Sequence, residues 1–560
     1  MDLETDVLVV GAGPVGLALA GDLGWRGHRA IIVERGDGVV LQPKMDQVGI
    51  RTMEHCRRWG IVPDVEASPY NRDRPQDNIY VTSLTGWELG RERFRSMRDD
   101  RPPAYSPQKR ERCPQNMFDP ILQKFALSQP GVELKLRHKF IELSQDDRGV
   151  TAQIDDELNH RRLTIRAKYL VGCDGGRSRV REQLAIEMQG RGILTHTTNV
   201  VFRAPNLDAL HNIAPGYRYI FVGPEGTWAT FVAINGTDQW RMSIIGTSEE
   251  RSYTEAELEA FAYRAMGKPF DMELVSVLAW QRQELVADAY RRGRCFLAGD
   301  ASHLTSPTGG LGMNTGIGDA ADISWKLSAA MRGWAGPRLL DSYEAERRPI
   351  ALRIVSISTT NLRHMKSPGR NEELLSEGPA GEETRARVGR AFSDAMKREW
   401  YLDNVHLGYR YIHSPVIIYE DEDPDQLTRD ASETAVYTPT TQPGRRAPHA
   451  WLADGRSTHD HFGRSFVLVD TAPASEGGCN EEPFVLAARE RGIPLEIVRW
   501  QVLEIATLYQ VRYVLVRPDD TVAWRGDELP EDLAALLSTV TGHLSSLNHQ
   551  KGQHHETFSL

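Results

Sequence analysis

Residues Val7–Leu23 read VLVVGAGPVGLALAGDL, and the rest of the chain is organised around them. Val7–Val10 is an apolar run of the kind that forms a strand buried on both faces. Gly11, Gly13 and Gly16 follow in GxGxxG spacing, Leu17–Trp25 has helical spacing with small residues, and Arg29–Glu34 (RAIIVE) reads as a second strand. Strand, turn, helix and strand in this order make a βαβ unit, so a parallel sheet is expected. Each glycine has its own reason. Gly11 makes the tight turn, Gly13 lets the backbone approach a pyrophosphate, and Gly16 lets helix pack closely on strand. The helix start, with Pro14 and Val15 inside the motif, offers free N–H groups and a positive dipole end to phosphates. Glu34 ends the second strand, 18 residues after Gly16, with Arg35 beside it. A carboxylate there accepts from a ribose 2′-hydroxyl and repels a 2′-phosphate. The adenine half is therefore that of FAD or NAD rather than NADP.

The chain has 560 residues, room for about three to four domains at ordinary domain size. Lysine and arginine number 67 against 77 acidic residues, a net charge of −10, so nothing favours a nucleic-acid partner. Five cysteines (Cys56, Cys113, Cys173, Cys295 and Cys479) make no CxxC pair and no metal-ligand spacing, which argues against a disulfide scaffold or a metal site. The acidic start MDLETD is not that of a signal peptide. The most apolar region, Val7–Trp25, carries five glycines, a proline and Asp22, which no transmembrane span would. A soluble, cytoplasmic protein without a membrane partner is expected.

Residues 130–175 alternate apolar and polar in short runs separated by SQDDRG and DDELNH, an antiparallel meander feeding back into the first sheet. Residues 197–246 (TNVVFRA, YRYIFVG, TWATFVAI, RMSIIG) predict a separate sheet. FLAGD (296–300) is a further strand-turn before a glycine-rich loop and a helix from about Asn314 to Met331. Residues 367–390, rich in Gly, Pro, Glu and Arg, predict a mobile surface stretch. From about Tyr437 a new α/β pattern begins, with strands at 465–470, 494–500, 511–518 and 521–526 and helices near 483–492 and 530–545.

Two more glycine-rich stretches decide which nucleotide is held. One is Cys173-Asp174-Gly175-Gly176-Arg177-Ser178-Arg179-Val180; the other runs from Gly299-Asp300 through Ser306-Pro307-Thr308-Gly309-Gly310 to Gly312-Met313-Asn314. In this order behind a GxGxxG they closely resemble the group A flavoprotein aromatic hydroxylases, which include p-hydroxybenzoate hydroxylase and phenol hydroxylase. The resemblance spans most of residues 5–350. It implies that Asp300 accepts from the ribityl chain of FAD. It places Gly310, Gly312, Met313 and Asn314 at the helix start under the flavin pyrimidine edge, where a dipole stabilises reduced flavin. Pro307 then lines the reaction face, and Asp174 and Arg179 serve FAD and NAD(P)H. Gln115, in RCPQNMFDPIL, resembles the glutamine that contacts the flavin side chain. PKMDQVGIRTMEHCRRWGI resembles the family's PRA…RTME stretch, with Lys44 where arginine is usual; lysine keeps the charge toward the pyrophosphate and loses the planar fork.

Asp46 stands where phenol hydroxylase has a catalytic aspartate. It reads either as base or anchor for a substrate hydroxyl, or as a loop acid paired with Lys44 or Arg51. Tyr217 and Tyr219 lie two residues apart on a strand and so share a face. Tyr219 is taken as a catalytic candidate, and ordinary sheet aromatics are the competing reading. His303 reads as a structurally satisfied histidine. The last domain, with PGRRAPHAWL (443–452) and VAWRG (522–526), resembles the thioredoxin-like C-terminal domain of the larger members. Without CxxC its role is structural or dimer-forming.

The expected architecture is thus an α/β fold in several parts. A Rossmann-like FAD-binding domain comprises 1–75, 105–185 and 275–365, and an inserted β-sheet substrate domain comprises 76–104 and 186–274. A helical or linker region (366–436), a thioredoxin-like domain (437–546) and a disordered tail (547–560) follow. No second strand–GxGxxG–helix occurs, so the nicotinamide visits a shallower site. None of the 12 tryptophans has another two residues away, which disfavours the WxWxIP flavin halogenases. The resemblance implies a monooxygenase that uses NAD(P)H and O2 to hydroxylate a phenol-like ring through a flavin hydroperoxide, with a homodimer as a possible assembly. Same-fold alternatives are epoxidation or Baeyer–Villiger oxidation of a polyketide-like substrate. A flavoprotein dehydrogenase and a non-enzymatic flavin-binding regulator are readings of other classes.

Overall fold

A computed structural model describes residues 2–247, 249–366, 370–420, 436–472 and 481–543. Two compact units emerge, one of residues 1–321 and 350–407, the other of 322–349 and 408–560.

The first unit is built on two sheets. In the first, the strands run in the order Arg291–Arg292, Cys295–Leu297, Arg161–Gly172, Asp2–Val10, Ala30–Glu34 and Val132–Leu136. The last five are mutually parallel. Val7, Leu8, Val9, Ala30 and Ile32 are fully buried, as strands covered on both faces require. The helix Pro14–Trp25 covers this sheet with a face of small residues. A Cβ on Gly21 would come within 2.4 Å of the Phe125 ring, so glycine there lets the helix Gln115–Leu127 approach. The meander of residues 130–175 is present: His138–Gln145, Val150–Asp156 and Arg161–Gly172 pair antiparallel in sequence.

The second sheet has eight strands, from His303–Leu304 through Glu273–Ala287, Met188–Arg203, Gln239–Thr247, Gly226–Ala233, Arg218–Gly223 and Asn78–Val81 to Glu88–Glu92. One face packs Phe202, Tyr219, Phe221, Phe231 and Trp240 against the helix Glu255–Met266. The other packs Tyr80, Ile220 and Val222 against Leu362, Met365 and the helix Pro379–Trp400. That helix corrects the expectation of a mobile stretch at 367–390. Its composition is polar, but Val388, Phe392 and Met396 fall on one face and are buried. Trp400 donates to the Tyr80 hydroxyl at 3.1 Å.

In the second unit the strand order is Leu495–Arg499, Phe466–Asp470, Tyr513–Val516, Val522–Gly526. The first pair is parallel and the others antiparallel, with helices Glu482–Glu490, Leu503–Tyr509 and Leu533–Val540 between and after them. This is the thioredoxin-like order that the resemblance implied. Leu503–Tyr509 is a helix the sequence reading did not anticipate. Trp325, Trp334 and Leu339 share a core with Phe466, Phe484, Leu515 and Leu537. Beside it five charged side chains are almost wholly buried. Lys326 bridges Asp322 and Glu346, at 2.7 Å each, while Arg517 forks onto Glu346 (2.6 Å) and Asp519 (2.6 Å). Burial alone would raise the Glu346 carboxyl, but Arg517 and Lys326 hold it well below its ordinary value. Cys479 and the expected tail at 547–560 lie outside the described residues.

Candidate functional site

The turn after the first strand is shaped by contacts that admit only glycine at two of its three motif positions. Gly11 has φ +106°, and a Cβ there would lie 2.4 Å from the Cys173 carbonyl oxygen. A Cβ on Gly16 would lie 2.0 Å from the Gly11 oxygen. Gly13 differs: its φ is −71° and a Cβ would meet nothing within 4 Å. No protein contact demands glycine at 13, so the open space above it fits a close-lying pyrophosphate. Glu34 accepts from the Ala12 amide at 2.9 Å and the Gly36 amide at 2.7 Å, which fixes its carboxylate beside the turn with lone pairs to spare. Arg35 and Lys44 are exposed. The Lys44 amide donates to Gln115 Oε1 at 3.1 Å, which docks the Lys44 loop on the start of the helix Gln115–Leu127.

Val15 leans onto the third motif. A Cβ on Gly299 would meet a Val15 methyl at 2.9 Å, and one on Gly316 would meet a Val15 methyl at 2.6 Å. Asp319 accepts from the Gly299 amide (3.1 Å) and faces His303 Nε2 (2.8 Å), both buried, so His303 serves to hold this loop. Asp300 is exposed, and no hydrogen bond or ion pair engages its carboxylate among the described residues. Gly310 has φ +64° with open space around it, and its amide donates to the Pro307 carbonyl. Pro307 is exposed. Gly312 and Met313 sit half-buried in the first turn of the helix Leu311–Arg332, whose leading N–H groups have no intrahelical acceptor. Asn314 is used up by the protein: it accepts from the Gly49 amide and Thr52 Oγ1 and donates to the Gln47 and Gly310 carbonyls. It therefore fixes the helix start rather than presenting its amide.

The second motif divides similarly. Asp174 accepts from Ser178 Oγ (2.5 Å) and the amides of Arg179 (2.7 Å) and Val180 (3.1 Å), capping its own turn. Arg179 is exposed and pairs with Glu182. Arg181, which the sequence reading passed over, donates to the carbonyls of Gly176 and Ala301 at 2.9 Å each and so ties the second motif to the third.

On the second sheet the structure brings Asp46 and Tyr217 together and leaves Tyr219 out. Tyr219 is fully buried among the aromatics of the core; its hydroxyl receives the Gly216 amide (3.2 Å) and faces Asp208. The catalytic candidacy of Tyr219 is therefore corrected: its hydroxyl is spent on its own loop. Tyr217 donates to Asp46 Oδ2 at 3.0 Å, under the Arg112 guanidinium 3.5 Å from its ring centre. Asp46 does not pair with Lys44 or Arg51. Arg241 grips it at both oxygens, at 3.0 and 2.5 Å, with both side chains 11% exposed. The signal for Arg241 was available: it is a lone charge inside QWRMSIIG, a strand otherwise apolar or neutral.

Asp119, one turn beyond Gln115, was also missed. It accepts from Gln115 Nε2 at 3.1 Å, while its Oδ1 is buried without a partner. Burial lifts its carboxyl from 3.8 to about 7, the Gln115 bond only partly offsetting this. The folded state thus holds a proton that the unfolded chain releases, and this contribution to stability is lost as pH rises from about 4 toward 7. Asp119→Asn is expected to remove that decline. Urea midpoints at pH 5 and pH 7.5 check it: wild type should lose more stability between them than the variant.

Residues 4–358 match the family model described as an FAD binding domain, and residues 440–543 match that of the aromatic-ring hydroxylase C-terminal domain. A 4-methyl-5-nitrocatechol 5-monooxygenase of a Burkholderia species is 32% identical over 565 residues, covering 96% of this chain and 97% of its own. Among solved structures, RebC with bound 7-carboxy-K252c superposes with a TM-score of 0.89 at 36% identity, covering 97% of this chain and 100% of its own. The flavin-dependent monooxygenase PieE in complex with FAD and substrate gives 0.83 at 28% identity, covering 97% and 100%. Among the described residues no helix is long and apolar enough to cross a membrane.

Proposed function

Because this chain belongs to the FAD-dependent aromatic-ring hydroxylases, we propose that its substrate is a phenol whose hydroxyl is held by Asp46 while Arg241 and Tyr217 hold Asp46. It is an FAD-dependent aromatic monooxygenase with NAD(P)H as co-substrate. Bound FAD supplies the redox chemistry, passing reducing equivalents from NAD(P)H to O2 so that one oxygen atom enters the ring. The chain supplies binding and orientation. The Gly11–Gly16 turn receives the pyrophosphate on the first amides of its helix, Glu34 the adenosine ribose, and Asp300 the ribityl chain. The amides leading the helix Leu311–Arg332 would receive the developing negative charge of reduced flavin, and Pro307 would line the face on which the ring reacts.

The observation that carries the substrate reading is the double grip on Asp46. A carboxylate forked by a guanidinium and bonded by a phenol is fixed in place, so it is a hydrogen-bond acceptor of set direction more than a free base. A phenol donating to it is polarised toward phenolate, and its ring is made electron-rich at the carbon to be oxidised.

Asp46→Ala is expected to bind FAD normally and to lose hydroxylation by roughly 100-fold, with NAD(P)H consumed and peroxide released in place of product. Simultaneous assay of NAD(P)H, peroxide and labelled product from 18O2 checks this; undiminished coupling would sink the assignment. Asp300→Ala in the same preparation is expected to be colourless, because the ribityl acceptor is gone.

A further inference from the structure

Arg282 lies on the strand Glu273–Ala287 and is 4% exposed. Its Nε donates to Thr197 Oγ1 at 3.1 Å and its Nη1 to Ser306 Oγ at 3.3 Å; its guanidinium carbon is 5.3 Å from the centre of the Trp280 ring. Neither partner is an acid, and Arg282 makes no ion pair among the described residues. The charges around it are Arg218, Glu399 and Arg241. Glu399 pairs with Arg218 at 2.8 Å, its other oxygen without a hydrogen-bond partner, and Asp46 pairs with Arg241, so three cations share two acids and Arg282 is the one without an ion pair. Burial, and after it the like charge of Arg218, bring its guanidinium down from 12.5 to about 10.

A buried cation without a counter-ion is costly. Here it is held rather than tolerated. Ser306 Oγ is hydrogen-bonded to Thr308 Oγ1 at 2.8 Å, and Thr308 Oγ1 donates to the Ser358 carbonyl at 2.6 Å. That chain fixes the hydroxyl that accepts from Arg282, on the residue immediately before Pro307. Among the described residues the Nη2 donors find no acceptor.

We propose that Arg282 receives a carboxylate carried by the aromatic substrate, which supplies the counter-charge this group of side chains lacks. A guanidinium with an unspent nitrogen edge suits a carboxylate, whose two oxygens match its planar fork. The substrate class is then a hydroxylated aromatic acid, its hydroxyl toward Asp46 and its acid toward Arg282. This rests on the assignment of the Pro307 loop to the reaction face.

The test uses the FAD holoenzyme with salicylate and 3-hydroxybenzoate, each against its neutral carboxamide. Binding is read from the flavin absorbance and turnover from NAD(P)H oxidation and oxygenated product. In wild type the acids are expected to bind at least about 10-fold more tightly than the amides. Arg282→Gln should abolish this preference by weakening the acids about 10- to 100-fold, with the amides unchanged within about 3-fold, while Arg282→Lys keeps part of it. Equal binding of acids and amides by wild type, equal weakening of both by Arg282→Gln, or no binding of either series overturns the inference. Acids that bind through Arg282 but yield no oxygenated product leave it standing and overturn the placement of the reaction face.

Discussion

Gly11→Ala is expected to give protein that cannot retain FAD and that melts well below wild type. The physical reason is double. At φ +106° an L side chain is strained by ~1–3 kcal/mol. The new methyl would also sit 2.4 Å from the Cys173 carbonyl oxygen, which is backbone at the tip of the neighbouring strand and cannot swing aside. Relief requires moving the turn against the strand Arg161–Gly172, and with it the amides proposed to receive the pyrophosphate. Gly13→Ala is the control. A methyl there meets nothing within 4 Å, and φ −71° suits alanine, so the apo-protein should keep wild-type stability within about 0.5 kcal/mol. Its FAD affinity should nevertheless fall, because the methyl occupies the space above the turn. Flavin content after gel filtration and melting of the stripped proteins separate the two. A Gly13→Ala protein with undiminished FAD affinity would remove the pyrophosphate from that space.

The second large effect is expected at Arg517. Its side chain is fully buried, and Arg517→Met would take its ion pairs from Glu346 and Asp519 while Lys326 still bridges Glu346 and Asp322. Breaking a buried pair by removing one partner costs ~3–5 kcal/mol, because the remaining charge stays buried and unmatched. Arg98→Ala, which removes a pair whose members are 65% and 64% exposed, should leave the urea midpoint essentially unchanged. The Arg517 guanidinium carbon lies 5.1 Å from the Trp325 ring, so tryptophan fluorescence during urea unfolding reports on this core. Adding Glu346→Gln to Arg517→Met should recover part of the loss. If the double variant is no better than the single one, the loss comes from packing and not from unmatched charge.

Much of the site was legible because its chemistry is local. Gly11 and Gly16 are needed for contacts within a few residues or with the adjacent strand, and spacing reveals such needs. Asp300 and Gly310 were singled out by the family resemblance that the order of three glycine-rich stretches carries. Residues whose meaning depends on a distant partner were harder. Asp46 could be matched to a role, but not to Arg241, 195 positions away. Tyr217 and Tyr219 were equivalent by alternation. One sits at the strand's mouth and reaches Asp46, while the other is closed in by Trp240 and Phe231. Asn314 showed its position and not its use, since four partners from three segments consume its amide.

The sequence by itself determined the parallel nucleotide sheet, since short-range spacing of glycines and strands imposes it, and its resemblance to the aromatic hydroxylases implied the cofactor and the class of chemistry. Only the tertiary structure decided which charges are matched. Hydrogen bonds and ion pairs act within about 3 Å, whatever the separation along the chain. The Asp46–Arg241 grip, the Arg517 cluster and the unmatched Arg282 exist because folded strands bring far-apart residues to that range. The same formal charges, counted along the sequence, give only a net of −10.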